Sequence, residues 1–465
     1  MPKYQRGLFL FHRDLRIVDN VGLSDAAKKC DTIYTAFVFT PEQVSDSNHY
    51  RSTNAIQFML ESLEELCNDI ESAGGKLLTL YGKTATILAK LTKTLQIECV
   101  FFNRDYTPYA RERDEMLIQS LQKIGVHCET SSDYYLQEPG TVLVESSGKM
   151  YHKFTPFYEV MLKQSVAKPA GRTTLRLGAI RKEINLPFVT LDHIRSRIKT
   201  NPYLVVKGGR RQGLARLRIA LRDQADFDKT RDDMSMETSR LSAHLKFGTV
   251  SVREVYWSFV QKYGARHGLI REVIWRDFFA HLLYVYPETL AHSYYRQFDH
   301  IHWRKNMRLL ELWKTGQTGF PLVDASMREL NHTGYMHNRG RMVVASFLVK
   351  TLLLPWREGE RYFAQHLTDY DVASNVGNWQ SIVGGGAYAM PYFRVMNPWI
   401  QSAKFDRDAV YIKRWVPELA DVPARDIHRW YMVQDKYKTL AYVKPVVDYS
   451  EQKEVFLKMV ADART

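Results

Sequence analysis

Short apolar runs alternate with amphipathic stretches over residues 1–130. The runs of strand length are Leu8–Phe11, Ile33–Phe39, Lys76–Leu80 and Cys99–Phe102. From Ile56 to Ile70 apolar residues recur at helical spacing, and Gly74-Gly75 marks the end of this predicted helix. Strands that alternate with helices are typical of a doubly wound parallel sheet, whose ligand site lies beyond the carboxyl ends of the strands. The pattern therefore predicts an α/β domain over residues 1–130, and the lack of a G-x-G-x-x-G motif argues against an ordinary dinucleotide site there.

The periodicity weakens over residues 131–205, where serine, glycine and proline punctuate the chain. Such punctuation is typical of a connecting segment, so we predict an interdomain linker there. Gly208-Gly209 then precede a helical pattern that continues to the end of the sequence. We predict that residues 206–465 form a second, all-α domain.

Polar residues interrupt this helical pattern between Met336 and Trp379. They are Asn338, Arg339, Arg341, Asp369, Asp371 and Asn375. Charged and amide groups in an apolar setting are costly unless they pair or hold something. So many in one segment indicate a polar ligand inside the helical domain.

An excess of basic residues narrows the function classes. There are 65 Lys+Arg against 51 Asp+Glu, which gives a formal net charge of +14. A basic protein often binds a polyanion, and nucleic acid is the first candidate; the alternative is charge that only aids solubility. The four cysteines include no C-x-x-C pair, which argues against a zinc site and a disulfide framework. Without a secretory signal or an apolar run of about 18 residues, we expect a reduced protein that is neither secreted nor in a membrane, and is cytoplasmic or wherever the genome is held.

Seven segments together resemble the photolyase/cryptochrome family. In chain order they are HRDLRIVDNVGL (12–23), FTPF (154–157), ETSRLSAHLKFG (237–248), EVIWRDFF (272–279), TGFPLVDASMREL (318–330), the 336–379 segment and MPYFRVMNP (390–398). Their order and spacing match the family over nearly the whole chain. The resemblance implies an N-terminal antenna-chromophore domain and a C-terminal helical domain that holds FAD non-covalently.

The FAD site implied by the resemblance lies in the helical domain. Its residues would be Phe227, Thr238, Ser239, Leu241, Ser242, Arg276, Arg341, Asp369, Asp371 and Asn375. Hydroxyl and backbone N–H groups of the 238–242 loop would bind the FAD diphosphate, although these residues alone fit an ordinary helix N-cap. Asn375 would face flavin N5, where a neutral amide leaves room for the reduced anion FADH⁻, the active form. Asp369 and Asp371 could also be read as a metal pair, but no further ligands accompany them, and no metal site is predicted.

Three tryptophans, Trp303, Trp356 and Trp379, match the family's electron-transfer chain between flavin and surface. Indole is well suited to transient one-electron oxidation, so the chain would reduce bound FAD in the light. The alternative is that they are packing residues, as most tryptophans are.

A pocket for damaged DNA is also implied by the resemblance. Its residues would be Arg231, Glu272, Trp275, Asn338, Arg339, Met342 and Arg394, with Lys404 as a further backbone contact. Trp275 would wall a flipped-out pyrimidine dimer, and Glu272 would bind a pyrimidine edge and act with Asn375 and the three tryptophans in catalysis. Taken alone, Glu272 fits a helix-surface ion pair and Met342 a gap-filling core residue. The (6-4) photolyases carry two histidines where this chain has Asn338 and Met342, so we expect cyclobutane pyrimidine dimers as the substrate.

Ser381 departs from the family pattern, in which a second tryptophan walls the lesion. Another residue would have to replace that wall, and Tyr392 and Trp399 are the candidates.

A basic stretch elsewhere is interpreted as a solvated helix face first and a DNA contact second. Its members are Arg210, Arg211, Arg216, Arg218 and Arg222.

An antenna site is suggested by Arg51, Asn103, Asp105 and Lys246, which resemble the site of deazaflavin-binding family members. We expect 8-hydroxy-5-deazaflavin rather than methenyltetrahydrofolate, because Arg104 stands where a folate-binding carboxylate would be. The alternatives are an empty site or a loop of ordinary solvated charges.

The predicted function is that of a light-driven DNA lyase, a monomer that acts on pyrimidine dimers in single- or double-stranded DNA. Excited FADH⁻ would donate an electron to the flipped dimer and regain it after two C–C bonds break. One alternative is a cryptochrome-type blue-light photoreceptor, which usually carries a long C-terminal extension that this sequence lacks. The others are a (6-4) photolyase and a light-independent DNA-binding regulator.

Overall fold

A computed structural model describes residues 2–178, 180, 184–388, 391 and 393–464. They form two compact units. The first unit comprises Met1–Asn201, Val206–Ala225 and Ser239–Pro287, and the second comprises Pro202–Val205, Asp226–Thr238 and Glu288–Thr465. The predicted boundary near residue 206 is therefore not where the units divide, because much of the 206–287 region groups with the first unit. Each unit is described by itself.

Five parallel strands form the sheet of the first unit, in the order β3-β2-β1-β4-β5. They are β1 (Tyr4–Phe11), β2 (Cys30–Phe39), β3 (Leu77–Tyr81), β4 (Cys99–Asn103) and β5 (His127–Ser131). The register pairs Tyr4 with Cys30 and Gly7 with Cys99, which places β1 at the centre. The predicted doubly wound parallel sheet is confirmed. The sequence pattern missed β5, because the strand HCETS is polar and none of its residues is fully buried.

The helices account for most of the remaining chain. In chain order they are α1 (Val21–Lys29), α2 (Pro41–Val44), α3 (Thr53–Ser72), α4 (Thr84–Leu95), α5 (Pro108–Gln122), α6 (Phe154–Met161), α7 (Leu191–Arg195), α8 (Arg210–Asp223), α9 (Phe227–Thr230), α10 (Ser242–Lys246), α11 (Val252–Tyr263), α12 (Gly268–Val285), α13 (Met307–Thr315), α14 (Pro321–Thr333), α15 (Asn338–Lys350), α16 (Trp356–His366), α17 (Val372–Val383), α18 (Pro398–Phe405), α19 (Val410–Trp415), α20 (Ala424–Ile427), α21 (Trp430–Val433) and α22 (Tyr449–Arg464). Short 3-10 helices span Pro287–Leu290, Arg296–His300, Pro417–Leu419 and Gln434–Tyr437. Among the described residues, no helix is long and apolar enough to cross a membrane.

Local sequence signals explain where two of these helices begin and end. Ser52 caps α3 by accepting from the backbone N–H of Ala55, and Gly74 follows the helix with a φ of +85°. Before α8, a Cβ added at Gly208 would lie 2.2 Å from the carbonyl oxygen of Phe58, and Gly209 has a φ of +99°. Glycine is required at both positions, and the helical pattern predicted after them is confirmed.

A buried ionic cluster ties the end of β1 to α11. Arg16 and Arg253 donate to Asp133 at 2.6 and 2.7 Å, and Arg253 also pairs with Asp19 at 3.1 Å. None of these four side chains is more than 7 % exposed. Burial, which raises the pKa of Asp133, is outweighed by the two guanidinium groups, so the carboxyl stays charged with a lowered pKa. Part of the HRDLRIVDN segment is therefore structural.

The second unit is helical and has its own apolar core. Trp313, Phe347 and Leu348 are fully buried there, together with side chains from α14 to α22. The all-α C-terminal architecture predicted from the 3.6-residue periodicity is confirmed.

Candidate active site

The predicted site residues fall in both compact units. Those in the first unit are Arg51, Asn103, Asp105, Ser239, Leu241, Ser242, Lys246, Glu272, Trp275 and Arg276. Those in the second unit are Phe227, Arg231, Thr238, Trp303, Asn338, Arg339, Arg341, Met342, Trp356, Asp369, Asp371, Asn375, Trp379, Arg394 and Lys404.

In the second unit, the predicted pairing of Arg341 with Asp369 is confirmed. One guanidinium nitrogen donates to both carboxylate oxygens at 2.9 and 3.2 Å, and Nε donates to the carbonyl of Met336 at 2.9 Å. Burial, which lowers the pKa of Arg341, is outweighed by the Asp369 carboxylate, so the pKa is raised and the arginine stays charged. The pair brings a fixed cation to the first turn of α15.

Thr238 is joined to this pair through Tyr335. The hydroxyl groups of Thr238 and Tyr335 lie 2.8 Å apart, and the Arg341 guanidinium is 5.6 Å from the centre of the Tyr335 ring. Phe227, the first residue of α9, is buried. The predicted diphosphate residue of this unit and the predicted flavin arginine therefore belong to one contact chain.

Asn375 is held in one orientation by Glu360. Its Nδ2 donates to the Oε1 atom of Glu360 at 3.0 Å and to the main-chain carbonyl of the same residue at 3.1 Å. Glu360 is only 2 % exposed. With both amide hydrogens committed, Asn375 keeps its carbonyl oxygen, an acceptor, for a ligand. Sequence reasoning missed Glu360, although it stands in the WREGERYF stretch that carried part of the resemblance.

Asp371 serves as the N-cap of α17. Its carboxylate accepts from the backbone N–H of Ser374 at 3.1 Å, which fixes the start of the helix that carries Asn375. A carboxylate has several acceptor sites, so this contact leaves capacity for a ligand hydroxyl or amide.

The three predicted wire tryptophans differ in exposure. Trp379 is 2 % exposed, Trp356 is 5 % exposed and Trp303 is half-buried. Trp379 packs so tightly on Gly359 that an added Cβ would lie 2.1 Å from its ring, and its buried Nε1 has no partner among the described residues. Trp313, which the sequence did not single out, packs edge-to-face against Trp379 with ring centres 6.5 Å apart.

Arg339 is paired within the second unit. It lies 2.6 Å from Asp232 and its guanidinium sits 4.2 Å from the ring centre of Phe405. Arg394 and Lys404 are exposed, and Arg231 is half-buried at the end of α9. The predicted DNA-contacting arginines therefore have different environments, and Arg339 has the most fixed one.

The residues beside the predicted lesion positions are also placed. Asn338 is exposed at the first position of α15, and Met342 is half-buried one turn later. His337 is buried and caps the helix by accepting from the N–H of Arg339 at 3.1 Å. Burial lowers the pKa of His337 to about 4, so this imidazole is neutral at neutral pH.

Trp399 does not supply the aromatic wall that is missing at Ser381. Ser381 is buried, and its hydroxyl donates to the carbonyl of Gly377 in its own helix at 2.8 Å. Trp399 is 9 % exposed and packs on Phe320 with ring centres 4.6 Å apart. The prediction for Trp399 is therefore corrected, because its ring belongs to the helical core. The other candidate, Tyr392, lies outside the described residues.

In the first unit, α12 carries the next group of predicted residues. Glu272 is exposed, and Trp275 is half-buried one turn later. The ring of Phe154 stacks on Trp275 with centres 3.5 Å apart and an interplanar angle of 5°. FTPF and EVIWRDFF, two of the segments that carried the resemblance, are thus in direct contact. One face of the predicted lesion wall is covered by Phe154.

Arg276 has a structural task within the first unit. It donates to the carbonyl oxygens of Tyr134 at 2.5 Å and of Leu245 at 3.2 Å, and its guanidinium lies 4.3 Å from the Tyr135 ring centre. These contacts tie α12 to α10 and to the segment after β5. A cofactor could use only the remaining donors of this side chain.

The 239–242 loop precedes α10. Ser239 accepts from Arg216 through its carbonyl oxygen at 3.2 Å, and Leu241 is buried. Arg240 has a φ of +52°, and Ser242, the first residue of α10, is exposed. The turn therefore carries two serine side chains, one just before α10 and one at its first position.

Asn103 proves to be structural rather than open to an antenna ligand. It is fully buried; Nδ2 donates to Asp14 at 2.5 Å and to Asn20 at 2.8 Å, and its Oδ1 accepts from the N–H of Gly22 at 3.0 Å. All its amide atoms are engaged, which corrects the prediction for this residue.

The other predicted antenna residues keep polar side chains near the carboxyl edge of the sheet. Asp105 follows β4 and accepts from Arg13 at 2.9 Å. Arg51 pairs with Asp46 and donates to the carbonyl of Arg197 at 3.2 Å. Lys246 ends α10 and is half-buried.

The basic stretch of α8 is largely a helix face with local partners. Arg210 pairs with Glu254 at 2.7 Å, and Arg222 pairs with its neighbour Asp223 at 2.6 Å.

Within the part of the chain that the structure describes, no group of three or more His, Cys, Asp or Glu side chains is arranged to hold a metal ion.

Comparison with known proteins covers both ends of the chain. Residues 7–173 match the family model described as DNA photolyase, and residues 269–462 match the model described as FAD binding domain of DNA photolyase. A curated relative, the deoxyribodipyrimidine photo-lyase of Escherichia coli (strain K12), is 34 % identical over 98 % of this chain and 98 % of its own.

Solved structures agree with this match. An archaeal photolyase from Sulfolobus tokodaii, described as having two FAD molecules and implying a novel light-harvesting cofactor, is 36 % identical with a TM-score of 0.88, over 98 % of this chain and 100 % of its own. A bacterial class III photolyase from Agrobacterium tumefaciens is 30 % identical with a TM-score of 0.91, over 100 % of this chain and 98 % of its own.

Proposed function

Because the chain belongs to the photolyase/cryptochrome family, we propose that it repairs cyclobutane pyrimidine dimers in DNA with light as the energy source. One observation carries the choice of lesion. Asn338 and Met342 offer no imidazole where proton transfer to a (6-4) lesion would require one, and the nearby His337 is a neutral helix cap.

The residues of the second unit fit the FAD that the family's binding domain implies. Arg341 and Asp369 form a charged pair whose remaining donors suit a flavin carbonyl. Asn375 presents an acceptor and adds no charge, which suits the reduced, anionic flavin. The hydroxyl group of Thr238 would serve the diphosphate.

The FAD that these residues would hold, in its reduced and excited form, would supply one electron to the dimer and take it back once the ring bonds had opened. The chain's own residues then have two tasks at the lesion. Trp275 gives an apolar surface for flipped pyrimidines, and flipping costs least at a damaged, poorly stacked step. Glu272 binds the amide edge of a pyrimidine and stabilises developing charge.

The tryptophans form a separate activation route. Their exposure rises from Trp379 through Trp356 to Trp303, as a path from the interior to the solvent requires. We propose that under light they carry electrons inward from a reductant in the solvent, which would bring the cofactor to its active state. Each repair cycle returns its electron and does not need them.

We propose that a protein monomer binds DNA, and that it does so through the phosphate backbone. Arg231, Arg339 and Arg394 are the proposed contacts, with Lys404 as a further one. Such contacts make affinity fall with salt and leave it largely independent of sequence.

An antenna chromophore is proposed to bind near Arg51, Asp105 and Lys246. A flat, three-ring deazaflavin is the first candidate. A second FAD is the other candidate, since the Sulfolobus tokodaii photolyase is described with two FAD molecules. Fluorescence of the chromophores released from the purified protein distinguishes these two from a folate.

A light-dependent repair assay tests the proposed function. Purified, FAD-loaded protein is reduced, mixed with DNA that contains a thymine dimer, and illuminated with blue or near-ultraviolet light beside a dark control. We expect loss of the dimer only in the light, and no repair of a (6-4) lesion in the same duplex. Photoreduction of the flavin without dimer loss would instead identify a cryptochrome-type photoreceptor.

A further inference from the structure

Lys350 is a fully buried lysine at the last position of α15. The seven residues before it, Val343 to Val349, are buried as well. Burial lowers the pKa of the Lys350 ammonium group to about 7. An apolar side chain would occupy this position without the desolvation cost of a charge, so the lysine has a task beyond filling space.

The Lys350 side chain reaches a distant segment of the chain. Its Nζ donates to the main-chain carbonyl of Arg394 at 3.0 Å and lies 5.5 Å from the ring centre of Phe456 in α22. A lysine at a helix C-terminus interacts favourably with the helix dipole, yet an exposed lysine would do the same. A dipole interaction alone does not explain why this buried lysine donates to a carbonyl group 44 residues away.

We call residues 393–397 the strap. One turn before Lys350, Ser346 accepts from the N–H of Met396 at 3.4 Å, so α15 contacts the strap main chain at two points. Val395 and Met396 pack against the apolar core. Phe393 is 62 % exposed and Arg394 is exposed, so the strap has an inner, anchored side and an outer side that carries a cation.

We propose that Lys350 is a positioning residue for DNA binding, which holds the strap so that Arg394 presents its guanidinium group to the phosphate backbone. This inference rests on the proposed function. Among the described residues, the backbone hydrogen bonds from Arg394 to Pro391, from Val395 to Phe393 and from Gln401 to Asn397 are local. Local bonds shape a turn, but they do not fix its place on the helical core. Ser346 and the core packing of Val395 and Met396 hold the middle of the strap, and the contact from Lys350 fixes the carbonyl group of Arg394 itself. A cation at a fixed place loses less entropy when it meets a phosphate.

DNA-binding measurements on matched variants test the inference. Lys350→Met keeps the chain length and removes the donor, whereas Lys350→Gln keeps an N–H donor without charge. With FAD-loaded protein and a duplex that carries one thymine dimer, we expect Lys350→Met to raise Kd roughly threefold to tenfold and to lower the salt slope by up to about one. Lys350→Gln should bind much more like the wild type.

A double variant separates positioning from a general loss of structure. Because Lys350 acts through Arg394, the Kd of Lys350→Met/Arg394→Ala should equal that of Arg394→Ala alone. A double variant whose loss is the product of the two single losses would overturn the inference. So would a Lys350→Met protein with unchanged Kd and salt slope.

Hydrogen exchange gives a second readout. Should Lys350→Met fail to retain FAD, Lys350→Leu is compared in its place. Faster exchange confined to the strap supports the inference, and a uniform increase that includes α16 overturns it. If Arg394→Ala binds damaged DNA like the wild type, the inference fails. Normal DNA binding without light-driven repair counts against the proposed function alone.

Discussion

Asn375 donates its amide nitrogen to Glu360 twice, at 3.0 Å to the carboxylate and at 3.1 Å to the main-chain carbonyl. The two residues lie on neighbouring helices, α17 and α16. Because both amide hydrogens are used, the atom that Asn375 can offer to a cofactor is an acceptor. In this orientation Asn375 can accept a hydrogen bond from an N–H group of a ligand; in the opposite orientation it could not.

Loss of the Glu360 carboxylate should disturb the reduced cofactor. In Glu360→Leu the amide group of Asn375 loses one acceptor and can rotate by half a turn. It would then point N–H groups at the flavin, and an N–H group cannot accept a hydrogen bond from a protonated flavin N5. We expect re-oxidation of reduced FAD in air to become about fivefold faster, the equivalent of one hydrogen bond of about 1 kcal/mol. Absorbance of bound FAD measures this rate. Glu360→Gln keeps an acceptor and serves as the control; equal rates in all three proteins would show that Glu360 does not act through Asn375.

Interrupting the proposed wire should slow photoreduction and spare repair. Trp356→Phe keeps an aromatic ring but removes the side chain that is most easily oxidised. We expect the photoreduction rate of bound FAD to fall by about tenfold or more, a barrier increase of at least about 1.4 kcal/mol. Protein reduced chemically beforehand should still repair dimers. Trp399→Phe, which changes a core tryptophan outside the wire, is the matched control. Unchanged photoreduction in Trp356→Phe would refute the wire assignment.

Glu272 should matter for repair more than for cofactor binding. Its side chain is exposed on α12, so its removal disturbs little packing. We expect Glu272→Ala to lower the repair yield per absorbed photon by roughly tenfold, as loss of one group that stabilises developing charge would. FAD content, measured from the absorbance of the purified protein, should stay the same. Glu112→Ala, on the exposed side of α5, is the control, and parallel losses of FAD and repair would make Glu272 a structural residue.

Arg339 should contribute to the salt dependence of DNA binding. Removing one phosphate contact lowers the slope of log K against log salt by about one. We therefore expect Arg339→Ala to weaken binding of damaged and undamaged DNA alike, measured by fluorescence anisotropy from low to moderate salt. Arg222→Ala removes an exposed arginine that pairs with Asp223 and should leave the slope unchanged. An unaltered slope in Arg339→Ala would mean that its ion pair with Asp232 persists when DNA binds.

The buried ionic cluster of the first unit should be sensitive to one amide substitution. Asp133→Asn leaves Arg16 and Arg253 buried without their shared carboxylate. Breaking such a cluster costs about 3–5 kcal/mol, so urea unfolding should shift to clearly lower concentration. Asp435→Asn breaks an exposed pair with Lys444 and should leave the urea midpoint nearly unchanged. Similar midpoints for Asp133→Asn and the wild type would show that the cluster contributes no net stability.

Local patterns determined the elements whose signals are short-range. The apolar period from Ile56 to Ile70 predicted α3, and alternating strands and helices predicted the parallel sheet, because side-chain periodicity depends only on neighbours in sequence. The polar strand β5 has no such signal and was missed. Motif order identified the family, and through it the pair of Arg341 and Asp369, which are 28 residues apart.

Tertiary structure decided which of the predicted residues have capacity left for a ligand. The family resemblance predicts that Asn103 is an antenna residue, but Asp14 and Asn20, more than 80 residues away, use its amide. Trp399 looked like a spare wall, but it lies in the core against Phe320. In the sequence, Glu360 and Lys350 have no feature that separates them from other helix residues. The structure shows that both are buried and that each has a hydrogen-bond partner elsewhere in the chain, Asn375 and Arg394 respectively. A sequence states what each side chain is able to bind, whereas only the folded chain shows which of those bonds it has already made.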